Sequence, residues 1–152
     1  MQLAHDRWLG YRHLSERSAL IRRLRDLPVP KRIVIIDDTA REAEHLAKAI
    51  FIAYGAPCNI GVFRAIAEAL EDIRVHVPSL VFLDDRLPPQ GTAEASIPAL
   101  RAAGYAGPLI VVSGFVTPSR QALLVRLGAR DVVHKDDVES ARIAHALLKV
   151  LV

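Results

Sequence analysis

Ile33-Val34-Ile35-Ile36, Leu80-Val81-Phe82-Leu83 and Leu109-Ile110-Val111-Val112 are unbroken apolar runs, each bounded by polar or turn-forming residues. Runs of this length with such punctuation predict strands buried on both faces. Asn59 to Phe63 and Asp131-Val132-Val133-His134 are weaker signals of the same kind, so five strands are expected. Between them the apolar spacing lengthens to the helical repeat. Ala43, Leu46, Ala47, Ile50 and Phe51 mark a helix running to about Tyr54, capped by Asp38 or Thr39. Further helices are expected over about Ala65 to Val75, Thr92 to Ala103 and Thr117 to Leu127. Pro98 lies inside the second of these, where a kink or a late start is expected. Asp136 and Glu139 have the spacing of a capping box before a last helix carrying Ile143, Ala146, Leu147, Val150 and Leu151.

Strands alternating with helices predict a doubly wound α/β fold around a five-stranded parallel sheet. An additional helix is expected upstream, from about Leu3 to Leu27. Its stripe is Leu20, Ile21, Leu24 and Leu27, with Trp8, Tyr11 and Leu14 leading in. Pro28-Val29-Pro30 closes it with a stiff connector. The chain therefore divides into an N-terminal helix and linker, residues 1–30, and an α/β body, residues 31–152. Leu20 and its neighbours need a surface to cover them, whether on this body, on a second copy or on a partner.

Charge sharpens this division. Residues 1–32 hold eight of the 20 Lys and Arg against three of the 17 Asp and Glu, while the remainder is mildly acidic. Clustered arginines are compatible with nucleic acid, but the apolar stripe threading them favours a docking helix, with dimerisation its most specific form. No DNA-binding module is expected after the body. Aliphatic residues dominate a 51% hydrophobic content with 5% aromatic, as a packed globular interior requires. A lone cysteine, Cys58, excludes an internal disulfide and suits a reducing compartment. There is neither a membrane-spanning run nor a secretory h-region, so a cytoplasmic protein is expected. The six histidines show no metal-ligand spacing.

Polar residues stand where the predicted strands end: Asp37 and Asp38, Asp84, Ser113, and Lys135. Strands of a parallel sheet all point one way, so these ends share one edge, where open α/β sheets place ligands. Carboxylates gathered there repel by about 4 kcal/mol per pair at 4 Å and an effective dielectric of 20. A hard divalent cation with oxygen ligands, Mg²⁺, would relieve them. The set suits phosphoryl transfer to a carboxylate: Asp84 as nucleophile, Lys135 and the metal against the equatorial oxygens, Ser113 as hydroxyl donor. Asp85 reads as a solvated neighbour rather than a ligand.

Ile33–Asp38, Leu80–Pro88, Ile110–Gly114 and Gly128–Lys135, in this order and spacing, resemble the receiver domain of two-component response regulators. The likeness extends over residues 31–152. It implies a single-domain regulator whose Asp84 takes a phosphoryl group from a histidine kinase or histidine phosphotransfer protein. It further implies Mg²⁺ held by Asp37, Asp38, Asp84 and the backbone carbonyl of Arg86, with Ser113 and Lys135 contacting the phosphoryl group. Signalling through protein contacts is then expected, with catalysis confined to the protein's own phosphorylation and dephosphorylation. Two positions depart from the family pattern. Asp136 follows Lys135 where proline is usual, and Val132 stands in place of an aromatic switch residue. Arg86 and Phe115 occupy the two positions that adjust dephosphorylation, and both are large. Two other readings compete: a receiver-like scaffold that works without phosphorylation, and a phosphohydrolase with an aspartyl nucleophile. The latter usually needs a second acid two residues on, where this chain has Arg86.

Overall fold

In the computed structural model residues 14–88 and 91–151 are described. The N-terminal helix α1 spans Leu14–Arg25, and the part of it expected before Leu14 lies outside the described residues. The body follows as β1 (Ile33–Ile36), α2 (Ala40–Tyr54), β2 (Ile60–Phe63), α3 (Ile66–Val75) and β3 (Leu80–Asp84). A two-stranded hairpin, β4 (Arg86–Leu87) and β5 (Gly91–Thr92), leads into α4 (Ala93–Ala102). The chain continues through β6 (Leu109–Ser113), α5 (Pro118–Leu127), β7 (Ala129–His134) and α6 (Ser140–Leu151). Five parallel strands form one sheet in the order β2-β1-β3-β6-β7, as the sequence pattern predicts. The hairpin was not anticipated, because two-residue strands leave no periodic signal.

Alternation along the strands sorts the core into two faces. Ile33, Ile35, Leu80, Phe82, Ile110 and Val112 face α2 and α6. Val34, Ile36, Val81, Leu83, Leu109 and Val111 face α3, α4 and α5. Leu20 and Leu24 of α1 are buried in the first of these layers, so α1 packs in cis on α2 and α6. Arg25 fastens it by donating to the carbonyls of Ala53 (3.1 Å) and Ile52 (2.8 Å) at the end of α2. Those carbonyls lack partners within the helix, which a cationic donor corrects. Gly55, at φ +67°, turns α2 off and returns its amide to the Phe51 carbonyl. Phe51 itself is half exposed, while Ala49 and Ala53 take the buried positions. Pro98 is accommodated within α4, which begins at Ala93.

One predicted cap is corrected. Asp136 sits in a 3-10 turn, Lys135–Asp137, and does not start α6. Glu139 caps the helix instead, its carboxylate accepting from the amides of Arg142 (2.7 Å) and Ala141 (3.3 Å) and pairing with Arg17 of α1. Glu139→Ala is therefore expected to lower stability by about 1–2 kcal/mol, and Asp136→Ala to change it by less than about 0.5 kcal/mol. Urea midpoints of the two variants decide the assignment; the reverse order would restore Asp136 as the cap.

Candidate functional site

The carboxyl ends of β1, β3, β6 and β7 meet at one edge of the sheet, because β1 pairs with β3, β3 with β6, and β6 with β7 in parallel register. Asp37, Asp38 and Asp84 each place a carboxylate oxygen within 4.8 Å of the others. Asp37 and Asp84 are buried and Asp38 is partly exposed. Thr39 occupies the expected cap position of α2 without a capping bond from its side chain; its amide instead donates to Asp37 Oδ1 at 2.8 Å. The Arg86 amide reaches Asp84 Oδ1 at 3.4 Å. Lys135 Nζ lies 3.2 Å from Asp84 Oδ1 and 2.5 Å from Glu42 Oε2.

Electrostatics at the cluster favour a cation. Burial, partly offset by the Thr39 amide and reinforced by Asp84 and Glu42, pushes Asp37 up to about 7. Burial likewise raises Asp84, against the pull of Lys135 and the Arg86 amide. Burial alone would lower Lys135, yet its bonds to Glu42 and Asp84 raise it, so it carries full positive charge. An all-oxygen donor set whose two buried acids, Asp37 and Asp84, resist ionisation fits a hard divalent ion. Asp37, Asp38 and Asp84 thus suit Mg²⁺ on their own chemistry.

Asp85 overturns its expected place in solvent. It is 4% exposed, with its carboxylate turned from Asp84 toward α4 and α5. Strand alternation requires this: Asp84 belongs with Phe82 and Leu80, and the next residue must face the opposite layer. Arg120 of α5 grips it with Nε on Oδ2 at 2.9 Å and Nη2 on Oδ1 at 2.5 Å, and the Ala93 amide adds a third donor at 3.2 Å. The same guanidinium holds Glu94 of α4 at 3.0 and 2.7 Å. Ser113, 1% exposed, donates to Asp85 Oδ2 at 2.7 Å. Burial would raise the Asp85 carboxyl, but Arg120 and Ser113 outweigh it and hold it below the usual range. Glu94 is lowered to about 2, chiefly by the Arg120 hydrogen bonds. Thr117 caps α5 by accepting from the Arg120 amide at 3.1 Å, which fixes where that arginine starts.

Between the cluster and this network lies a cleft of about 260 Å³ lined by Asp84, Asp85, Arg86, Ser113, Phe115 and Lys135. Arg86 and Phe115 are exposed at its mouth. Val132 is fully buried, and His134 is buried with Nδ1 accepting from the Asp136 amide at 3.0 Å.

Solved structures share this architecture. A response regulator from Desulfuromonas acetoxidans matches 79% of this chain and 95% of its own, at 20% identity and a TM-score of 0.67. A CheY-like response regulator receiver domain protein from Methanospirillum hungatei matches 80% and 93% at 19% identity and 0.65. The response regulator domain of Thermotoga maritima CheB matches 80% and 92% at 21% identity and 0.63. The fold is that of a receiver domain. No protein-family model matches the chain, and neither does any curated protein sequence. At these identities the likeness carries the receiver fold, and the function has to be argued from the site.

Proposed function

We propose that this chain is a phosphoacceptor response regulator, modified on Asp84 and signalling through protein contacts. One observation carries the reading: a buried Asp84 with Lys135 Nζ at 3.2 Å, beside two further acids that can share a cation with it. Asp84 Oδ attacks the phosphorus of a phosphohistidine on a histidine kinase or phosphotransfer protein. An O–P bond forms, the N–P bond breaks, and its electron pair leaves on the imidazole. Lys135 faces the charge on the transferred oxygens, and Ser113 offers them a hydroxyl once free. Asp37, Asp38, Asp84 and the backbone carbonyl of Arg86 would hold Mg²⁺, which when bound supplies positive charge against the phosphoryl oxygens.

In this reading residues 31–152 form the receiver domain and residues 1–30 an accessory helix and linker. Among the described residues no helix is long and apolar enough to cross a membrane, which is consistent with a cytoplasmic regulator. Because α2 and α6 of the same chain cover Leu20 and Leu24, dimerisation through that stripe would require α1 to detach.

The test is incubation with Mg²⁺ and a small phosphodonor, read by intact mass. A single phosphoryl adduct, labile to base and to hydroxylamine, is expected; no adduct would sink the reading and leave a phosphorylation-independent scaffold. Arg86 and Phe115 crowd the cleft mouth where water must approach, so the phosphoryl mark is expected to persist. Phe115→Ala combined with Arg86→Asn should shorten its half-life about tenfold, of order 1.4 kcal/mol in barrier. An unchanged half-life would show that these side chains do not restrain hydrolysis.

A further inference from the structure

Val132 cannot swing between positions as a ring would, so a phosphoryl mark on Asp84 needs another route to the outer helices. The Ser113 hydroxyl has one hydrogen and two acceptors within reach, Asp85 Oδ2 at 2.7 Å and the Phe115 carbonyl at 3.0 Å. The charged acceptor is the nearer and the stronger. That same carboxylate is the anchor for Arg120, whose guanidinium also binds Glu94 and so joins α5 to α4. Ser113 also lines the cleft with Asp84 and Lys135, where it cannot serve both Asp85 and a phosphoryl oxygen.

We propose that Asp85, held by Arg120, is a positioning residue that keeps the Ser113 hydroxyl off the phosphoryl site. Transfer of that hydroxyl from Asp85 to the phosphoryl group then changes the Asp85–Arg120–Glu94 clamp and reports the mark to α4 and α5. The inference rests on the phosphoacceptor reading above. It gives Asp85 a sign: it opposes the modified state.

Beryllofluoride with Mg²⁺, titrated into the wild-type chain, Asp85→Asn, Ser113→Ala and the double variant, tests this. Asparagine keeps the shape of Asp85 but offers a neutral, weaker acceptor, so Asp85→Asn should tighten beryllofluoride binding about tenfold. With alanine at 113 there is no hydroxyl to release, and the same substitution should change affinity by less than about twofold. An equal gain in both backgrounds would overturn the inference, because it would report only a negative charge removed from beside an anion. Nitrogen-15 NMR of the Arg120 Nε–H group gives a readout that needs no change at Asp85. Its resonance should move when beryllofluoride binds the wild-type chain and stay fixed in Ser113→Ala; an unmoved wild-type resonance would overturn the inference. No wild-type response to beryllofluoride would remove the phosphoacceptor reading and this inference together. Binding with additive substitutions would remove this inference alone.

Discussion

Asp84→Asn is expected to acquire no phosphoryl group from any donor while remaining folded. The carboxylate is the nucleophile, and the amide nitrogen and oxygen of asparagine cannot form the acyl phosphate. Loss should therefore be complete rather than graded, which separates Asp84 from residues that only assist. Lys135→Ala should slow labelling by about 10²–10³-fold, the range of a removed electrostatic donor. Unfolding does not explain the Asn result in advance. Asp84 is raised by burial, which means that ionising it costs the folded state. A neutral side chain of the same shape avoids that cost and also relieves Asp37, at the expense of the 3.2 Å contact to Lys135. The melting temperature of Asp84→Asn should accordingly stay level or rise. Labelling that survives in a folded Asp84→Asn protein would move the acceptor to another carboxylate and undo the assignment.

The edge cluster was readable from sequence because its logic is one-dimensional. A buried parallel strand announces itself as an apolar run, and whatever polar residue ends the run must emerge at the ligand edge. Asp37, Asp84, Ser113 and Lys135 follow from that rule, and the fold brings them to one edge of the sheet. Asp85 shows where the rule was stopped too early. The two-residue period that turns Asp84 toward the acids turns its neighbour to the other layer, so its exclusion from the cluster was legible. Its burial was not, because Arg120 lies 35 residues downstream and nothing in local spacing pairs the two. The capping error has a similar origin. Asp136-Asp137-Val138-Glu139 satisfies the capping spacing, but it takes the His134 ring accepting from the Asp136 amide to show that this segment closes a separate 3-10 turn. Arg17, 122 residues away, then meets Glu139 from α1. The burial of Leu20 and Leu24 against α2 and α6 answers what the apolar stripe of the N-terminal helix covers, a question composition and charge left open.

The largest expected loss of stability lies away from the site, at Asp131. A register shift between Leu109 and Ile110 leaves Arg130 without a partner on β6 and turns Asp131, 2% exposed, inward on β7. There it meets Arg142 of α6 at 2.9 Å, Lys149 at 3.2 Å and the Val132 amide at 2.9 Å. Arg142, itself 3% exposed, also donates to the Val132 carbonyl. Asp131→Ala removes the carboxylate that faces that buried guanidinium and is expected to cost about 3–5 kcal/mol, the usual penalty for breaking a buried ion pair from one side. Replacing Asp131 and Arg142 together by leucine should recover most of it, since the pair itself contributes little beyond what its own desolvation costs. Acid titration gives an independent check. Burial raises the Asp131 carboxyl, but Arg142 and then Lys149 outweigh it, so its folded pKa lies below the unfolded value of about 3.9. Its contribution is therefore fully present above about pH 4–5 and lost as pH falls through the depressed folded value. Urea melts of the wild-type chain should weaken across that acid window, and those of the Asp131–Arg142 double leucine variant should weaken less. Equal acid sensitivity in the two proteins would place the acid-labile stability elsewhere, with Asp85 and its clamp the next group to test.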